Sequence, residues 1–186
     1  CKIDIMLYTM KINRVLLLGL VLVKSVFVAV SQERCVPVGM LCEYLSNPLG
    51  IDALHPRLRW HLDDVRDKAM QKACRVLVST DSLKLADKNY ADCWDTGKRK
   101  TETMQFVYNG KKLLPFTKYF WKVEVWDKDG NKTSSDIASF ETGMLEMHNW
   151  RGSWISDGRD MDYKPAPYFR NGFVVNKSIY SARAYI

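Results

Sequence analysis

Three polar residues close together, Asp127, Asp129 and Asn131, have the types and spacing of the first three ligands of an EF-hand calcium loop. The rest of that loop does not fit, because its glycine comes two residues too early and Ala138 stands where a bidentate glutamate is required. Asp, Gly and Asn also favour the tight turns that join antiparallel strands. A strand-like run, Ile137–Thr142, follows at hairpin distance. The pattern therefore favours a hairpin turn over a calcium site.

No other group of residues has the spacing of a catalytic or metal centre. Asp63 and Asp64 are adjacent, so on a strand their carboxylates face opposite ways and cannot act as a pair. His55, His61 and His148 are too dispersed for a local zinc pattern. The sequence also lacks the Gly-rich phosphate loop and the nucleophile and zinc motifs of common hydrolases. We therefore expect no catalytic residue, no metal and no cofactor in this chain.

Trp150 and Trp154 are weak candidates for carbohydrate binding. They lie near Asp157, Asp160 and Asp162, and aromatic faces beside carboxylates suit the hydroxylated rings of sugars. The same residues are explained more readily by a linker packed between two domains, so both interpretations stay open.

Residues 1–31 are predicted to be a leader with a secretory signal peptide. From Met10 the chain reads MKINRVLLLGLVLVKSVFVAVSQ, with a basic start, an apolar run and a small-x-small exit, Ala29-Val30-Ser31, after which cleavage is expected. Lys24 interrupts the apolar run, and a membrane-spanning helix would tolerate that charge less well than a signal peptide. We expect an exported protein, periplasmic, on the cell surface or extracellular, with no stable membrane insertion.

Composition and charge indicate a folded protein that does not bind nucleic acid. Of 186 residues, 47% are hydrophobic and 12% aromatic, which is enough to form a core. The formal net charge of +7 is partly carried by the leader, and the remaining basic residues are interspersed with acidic ones. Gly97–Glu102, GKRKTE, is a basic run in a predicted loop.

Four cysteines follow the leader; Cys35 and Cys42 are predicted to point to opposite faces of one extended segment, so that they cannot form a disulfide with each other.

Short strand-like segments recur between turn signals, with a brief helical turn at Ser82–Ala86 that Asp81 is placed to cap. This pattern predicts an all-β, antiparallel β-sandwich of the fibronectin type III or immunoglobulin-like kind. The predicted strands are Val36–Glu43, Leu58–Leu62, Ala73–Ser79, Trp94–Asp95, Met104–Tyr108, Lys118–Trp126 and Ile137–Thr142.

Four residues are assigned structural roles in this sandwich. Pro115 and Tyr119 belong to the pattern L-x-P-x-T-x-Y, which is typical of a tyrosine corner, where the hydroxyl bonds back to the upstream backbone. Trp60 and Trp121 are predicted to be core tryptophans from two different strands, because burial of so large an aromatic is more common than ligand stacking.

The sandwich is predicted over residues 32–142, followed by a linker over 143–167 and the start of a second β-domain over 168–186. Tyr168–Val175 and Ile179–Ile186 have the composition of strands, and the second stops without a partner or turn. The sequence is therefore expected to be a piece of a larger protein.

Several blocks along the chain resemble a known family. LCEYLSNPLGIDALHPRLRWHL, QKACRVLVST, CWDTGKRKT, YFWKVEVWDKDGN, SFETGML, WRGSWI and FRNGFVVNKSIYSARAYI come in the order and spacing of the N-terminal region of bacterial α-L-rhamnosidases of glycoside hydrolase family 78.

The resemblance implies an inverting enzyme that hydrolyses terminal α-L-rhamnose from glycans or glycosides, with its carboxylates in a C-terminal (α/α)6 barrel. No residue here matches the catalytic motif of that family, so the chain is expected to be a non-catalytic scaffold that packs against later domains of its parent and meets a rhamnose-containing glycan only through that parent. The alternative is a free-standing fibronectin III-like binding module.

Overall fold

The computed structural model describes residues 35–87, 89–159, 162, 166–180 and 182–184, so the predicted leader lies outside the described residues. None of the helices in these ranges has the length and apolar character needed to span a bilayer. The elements are β1 (Val36–Cys42), β2 (Arg57–Asp63), β3 (Gln71–Ser79), α1 (Ser82–Asp87), β4 (Trp94–Asp95), β5 (Arg99–Lys100), β6 (Gln105–Val107), β7 (Lys118–Asp127), β8 (Lys132–Ser134), β9 (Ala138–Glu141) and a short 3-10 helix (Met147–Asn149).

The strands form two sheets that enclose one core. β1, β2 and β6 make a three-stranded sheet, while β3 and β7 form the centre of a six-stranded sheet. In the larger sheet, β4 and β5 pair with β3 on one side, and β8 and β9 pair with β7 on the other. The named strands pair antiparallel. The predicted antiparallel β-sandwich is confirmed.

The core lies between the sheets and follows the alternation of β7. Its side chains at Tyr119, Trp121, Val123 and Val125 are buried, as the period of two predicts. They meet buried residues of the facing sheet and of neighbouring strands, among them Leu58, Trp60, Cys74, Val76, Val78 and Phe140.

The prediction that Cys35 and Cys42 face opposite ways is wrong, because both thiols are buried in the same core. The register of β1 against β2 shifts between Val38 and Leu41, which inserts one extra residue. Such a β-bulge reverses the side-chain alternation beyond it and so returns Cys42 to the inner face. Gly39, at φ +61, allows this bend, and a Cβ there would lie 2.1 Å from the ring of His61. The four described cysteines are free thiols.

Two short strands, β5 and β8, are absent from the sequence prediction. The turn after β7 leads directly into β8, whereas the predicted partner Ile137–Thr142 corresponds to β9, which pairs with the start of β7. Between them Ser135 breaks the strand: its hydroxyl accepts a hydrogen bond from Val123 N (3.0 Å) while its own N–H donates to Val123 O (2.9 Å). Strands of two or three mostly polar residues carry no hydrophobic alternation, so only their pairing reveals them.

Tertiary contacts divide the chain into two compact units, one ending at Asn149 and one beginning at Trp150. In the second unit the predicted strand Tyr168–Val175 is not formed, and neither is the described part of Ile179–Ile186. Their apolar side chains are largely exposed. A strand forms only when its backbone groups pair with another strand. These residues have the composition of strands, but within the described part of the chain they pair with no other strand.

Candidate functional site

Trp60 and Trp121, the two predicted core tryptophans, are both buried between the sheets. The Trp60 indole N–H donates to Gln71 Oε1 at 3.1 Å, and its ring stacks on Phe106 with centroids 6.1 Å apart. Gln71 in turn donates from Nε2 to the carbonyls of Thr101 and Thr103. Both tryptophans hold the sandwich together and neither ring can stack on a ligand.

Tyr119 forms a tyrosine corner. Its hydroxyl accepts a hydrogen bond from Leu114 N at 2.8 Å, and its ring stacks on Phe140 with centroids 5.3 Å apart. Pro115 contributes its carbonyl, which accepts a hydrogen bond from Thr117 Oγ1 at 2.8 Å. Burial raises the pKa of the Tyr119 hydroxyl, so it stays neutral. These contacts fix the loop that leads into β7.

The turn at Asp127 uses its carboxylate to organise the hairpin. Oδ1 accepts hydrogen bonds from the backbone N–H groups of Asp129 (2.9 Å) and Asn131 (2.8 Å), and Oδ2 accepts from Asn131 Nδ2 (3.2 Å). Gly130 has φ +88, the left-handed conformation that tight turns use. Among the described residues no group of three or more His, Cys, Asp or Glu side chains is arranged so that it could hold a metal ion.

Arg66 links this turn to the segment after β2. Its guanidinium contacts Asp64 Oδ2 at 2.6 Å, Asp127 Oδ2 at 2.8 Å and Asp129 Oδ2 at 2.8 Å. The hydrogen bond from Arg66 lowers the pKa of Asp64 to about 2. Burial by itself would raise the pKa of Asp127, but hydrogen bonds from Arg66 and Asn131 outweigh it and the pKa is lowered. Arg66 and the three carboxylates therefore form one ion network, in which the guanidinium supplies hydrogen-bond donors to each carboxylate.

The outer face of β7 is less exposed than a sandwich surface usually is. Helix α1 covers part of it, so Lys122 and Glu124 are only 8% and 3% exposed. Lys122 Nζ donates to the Leu85 carbonyl, and burial lowers the pKa of this lysine. Glu124 accepts hydrogen bonds from Arg75 and Asn89 and pairs with Lys132 Nζ at 2.6 Å.

Where the chain leaves the sandwich, several large apolar side chains lie on the surface. Three segments meet there: Gly143 N donates to Ile51 O at 2.8 Å, and Phe116 N donates to Gly143 O at 2.9 Å. Four exposed apolar residues lie within four positions along the chain of these bonded groups, and we call them the exit-end surface: Leu49, Leu54, Leu114 and Met147. The sequence did not predict this surface because its residues come from three separate loops. Leucines within predicted turn segments, where polar residues are usual, could have indicated it.

Trp150 and Trp154 lie in the second unit. Trp150 is partly exposed, and its ring is backed by Gly152, where a Cβ would lie 2.8 Å from the indole. Trp154 is fully exposed. Asp160 lies outside the described residues. Carbohydrate binding by these tryptophans remains a prediction.

Comparison with known proteins relates the sandwich to one enzyme class. Residues 37–146 match the family described as Rha78A-like, N-terminal immunoglobulin domain. The chain is 39% identical over 116 residues to an α-L-rhamnosidase of Streptomyces avermitilis, an alignment that covers 61% of this chain and 11% of that protein.

Two solved structures share the fold. The α-L-rhamnosidase from Dictyoglumus thermophilum matches with a TM-score of 0.63 and 37% identity, over 68% of this chain and 14% of that one. The Streptomyces avermitilis α-L-rhamnosidase in complex with L-rhamnose matches with a TM-score of 0.61 and 36% identity, over 65% of this chain and 12% of that one. The chain thus spans 11% to 14% of the length of these relatives.

Proposed function

Since the chain belongs to the family of Rha78A-like N-terminal immunoglobulin domains, we propose that it is the leading, non-catalytic portion of an exported α-L-rhamnosidase. The observation that carries this proposal is the family match over residues 37–146, which covers nearly all of the β-sandwich. The parent enzyme would release terminal α-L-rhamnose from glycans or glycosides, using carboxylates in a part of the protein beyond this chain.

The role of the sandwich in that enzyme is to support a following domain. The exit-end surface is apolar, lies beside the residues through which the chain leaves the sandwich, and is held by hydrogen bonds between three loops. An exposed apolar cluster at such a position is favourable when another domain covers it. The predicted leader would direct the parent enzyme out of the cytoplasm, to the periplasm, the cell surface or the medium.

The proposal is tested by measuring rhamnose release from an aryl α-L-rhamnoside. Residues 32–186 alone should give no release above buffer, whereas the parent enzyme should hydrolyse the substrate. Removal of residues 32–149 from the parent should lower its thermal stability. Release of rhamnose by the short chain would overturn the non-catalytic assignment, and an inactive parent would overturn the enzymatic one.

A further inference from the structure

A line of side chains crosses the outer face of the six-stranded sheet at Trp126. Lys100 on β5 pairs with Ala73 on β3, and Ala73 pairs with Trp126 on β7. Trp126 then pairs with Lys132 on β8. Directly paired residues of an antiparallel sheet project to the same face. These four residues therefore form one line, the Trp126 row, and it is roughly 14 Å long because neighbouring strands lie about 4.8 Å apart.

Two ammonium groups are held against the ring at the centre of this row. Lys98 Nζ lies 4.3 Å from the centroid of the Trp126 ring, and Lys132 Nζ lies 5.5 Å from it. Cation–π attraction restrains both lysines, which as free surface side chains would sample many rotamers. The ring itself remains partly exposed. The row thus holds two lysine side chains at defined positions beside an aromatic surface.

The carboxylates next to the row are already neutralised. Glu124 pairs with Arg75 at 3.2 Å as well as with Lys132, and Asp95 pairs with Arg75 at 2.6 Å. Lys98 and Lys100, in contrast, have no ion pair within the ranges that the structure describes. Lys72 and Arg99 are also exposed, but they alternate with Ala73 and Lys100 and therefore project to the other face of the sheet. The uncompensated positive charge beside Trp126 is therefore that of Lys98 and Lys100.

We propose that the Trp126 row binds an acidic polysaccharide through carboxylate or sulfate groups on the sugar chain. Lys98 and Lys100 would pair with those anionic groups, while the exposed part of the indole offers an apolar surface to the C–H face of a sugar ring. This inference rests on the proposed function, since a rhamnose-releasing enzyme works on glycans. Single-stranded nucleic acid is the weaker alternative because it requires several aromatic platforms for successive bases, and the row has one.

Affinity electrophoresis of the full chain at low ionic strength tests the proposal. The gels contain polygalacturonate, dextran sulfate, single-stranded DNA or neutral dextran. The informative variant is Lys98→Gln with Lys100→Gln. Its control, Lys111→Gln with Lys112→Gln, removes the same charge from two exposed lysines in the loop before β7, of which Lys112 also pairs with Glu146 at 3.2 Å. Thermal unfolding of each variant checks that the fold is retained.

We expect retardation by at least one acidic polysaccharide and none by dextran. The Lys98 and Lys100 variant should weaken binding by about tenfold, since each exposed charge pair contributes up to about a factor of five, while the control variant binds as the native chain does. Equal loss in both variants would show attraction by net charge only and overturn the proposal, as would no retardation or tighter binding of single-stranded DNA. None of these measurements depends on rhamnosidase activity, so failure of this proposal can be distinguished from failure of the proposed function.

Discussion

Among single residues, Tyr119 gives the most direct test of how the loop before β7 is fixed. Replacement by Phe keeps the ring on Phe140 and removes the oxygen that accepts the hydrogen bond from Leu114 N. We expect Tyr119→Phe to lower the free energy of unfolding by about 1 to 2 kcal/mol, because a partly buried N–H loses its partner. Urea unfolding measures this. Tyr90→Phe, at an exposed tyrosine, is the control, and an equal effect of both substitutions would refute the corner as a stabilising contact.

The Arg66 network predicts a loss of stability in acid. The pKa of Asp64 is about 2 in the folded chain against an ordinary value of 3.8, so the unfolded chain takes up protons first as the pH falls. The contribution of Asp64 is therefore fully present above its ordinary pKa and is lost as the pH decreases from about 5 towards 2.

Arg66→Gln should destabilise the chain at neutral pH and flatten this acid dependence. Urea unfolding between about pH 7 and pH 2 gives the comparison. Arg59→Gln, at an exposed arginine on the outer side of β2, is the control and should keep the native slope. An unchanged slope in Arg66→Gln would contradict the assignment of the pKa shift to this guanidinium.

At the scale of elements, the loop between β6 and β7 lies directly against β4. A Cβ on Gly110 would be 2.5 Å from the Cys93 carbonyl oxygen and 2.5 Å from Trp94 Cβ, so the loop cannot keep its place with a larger residue. Gly110→Ala should lower the free energy of unfolding by about 1 to 3 kcal/mol through overpacking. Gly172→Ala, where nothing lies within 4 Å of the added carbon, should leave it unchanged. Equal stability of the two variants would contradict this prediction, since it would show that β4 can move away from the added carbon at little energetic cost.

The longer strands could be predicted from the sequence because they are rich in apolar, β-branched and aromatic residues between turn signals, and in β7 these apolar residues also alternate. β3 and β7 are the clearest cases, and helix α1 follows from Asp81, whose Oδ1 accepts a hydrogen bond from Leu83 N at 2.9 Å. The bulge in β1 could not be predicted, since one inserted residue leaves composition unchanged while reversing the facing of Cys42.

The candidate surfaces required the structure for a different reason. The basic run at residues 97–102 is visible in the sequence, but its position beside Trp126 depends on the pairing of β5 with β3. The burial of Lys122 and Glu124 depends on α1 covering that sheet. Both features are set by contacts between elements that are far apart in the sequence, so a local sequence pattern cannot predict them.

At the scale of the whole molecule, the exit-end surface predicts a difference between the isolated chain and its parent. Leu54→Ser and Leu114→Ser should each destabilise the parent enzyme by about 1 kcal/mol, because the proposed function has a following domain cover these side chains there. In the isolated chain, where both are exposed, neither should change the thermal midpoint appreciably.

Val65→Ser is the matched control, at an exposed apolar residue next to Arg66, which pairs with the β7–β8 turn at the other end of the sandwich. It should have no effect in either protein. Equal midpoints of the parent with and without Leu54→Ser and Leu114→Ser would show that no domain packs on the exit-end surface.

The central claim, that this sandwich is part of an α-L-rhamnosidase, is tested most directly by immunodepletion. Antibodies raised against residues 35–149 are used to deplete the proteins of the source organism, and hydrolysis of an aryl α-L-rhamnoside is measured in the depleted and bound fractions. We predict that a polypeptide several times longer than this chain is captured and that rhamnosidase activity moves with it. Capture of a polypeptide of about this chain's own length, with the activity left behind, would contradict the account.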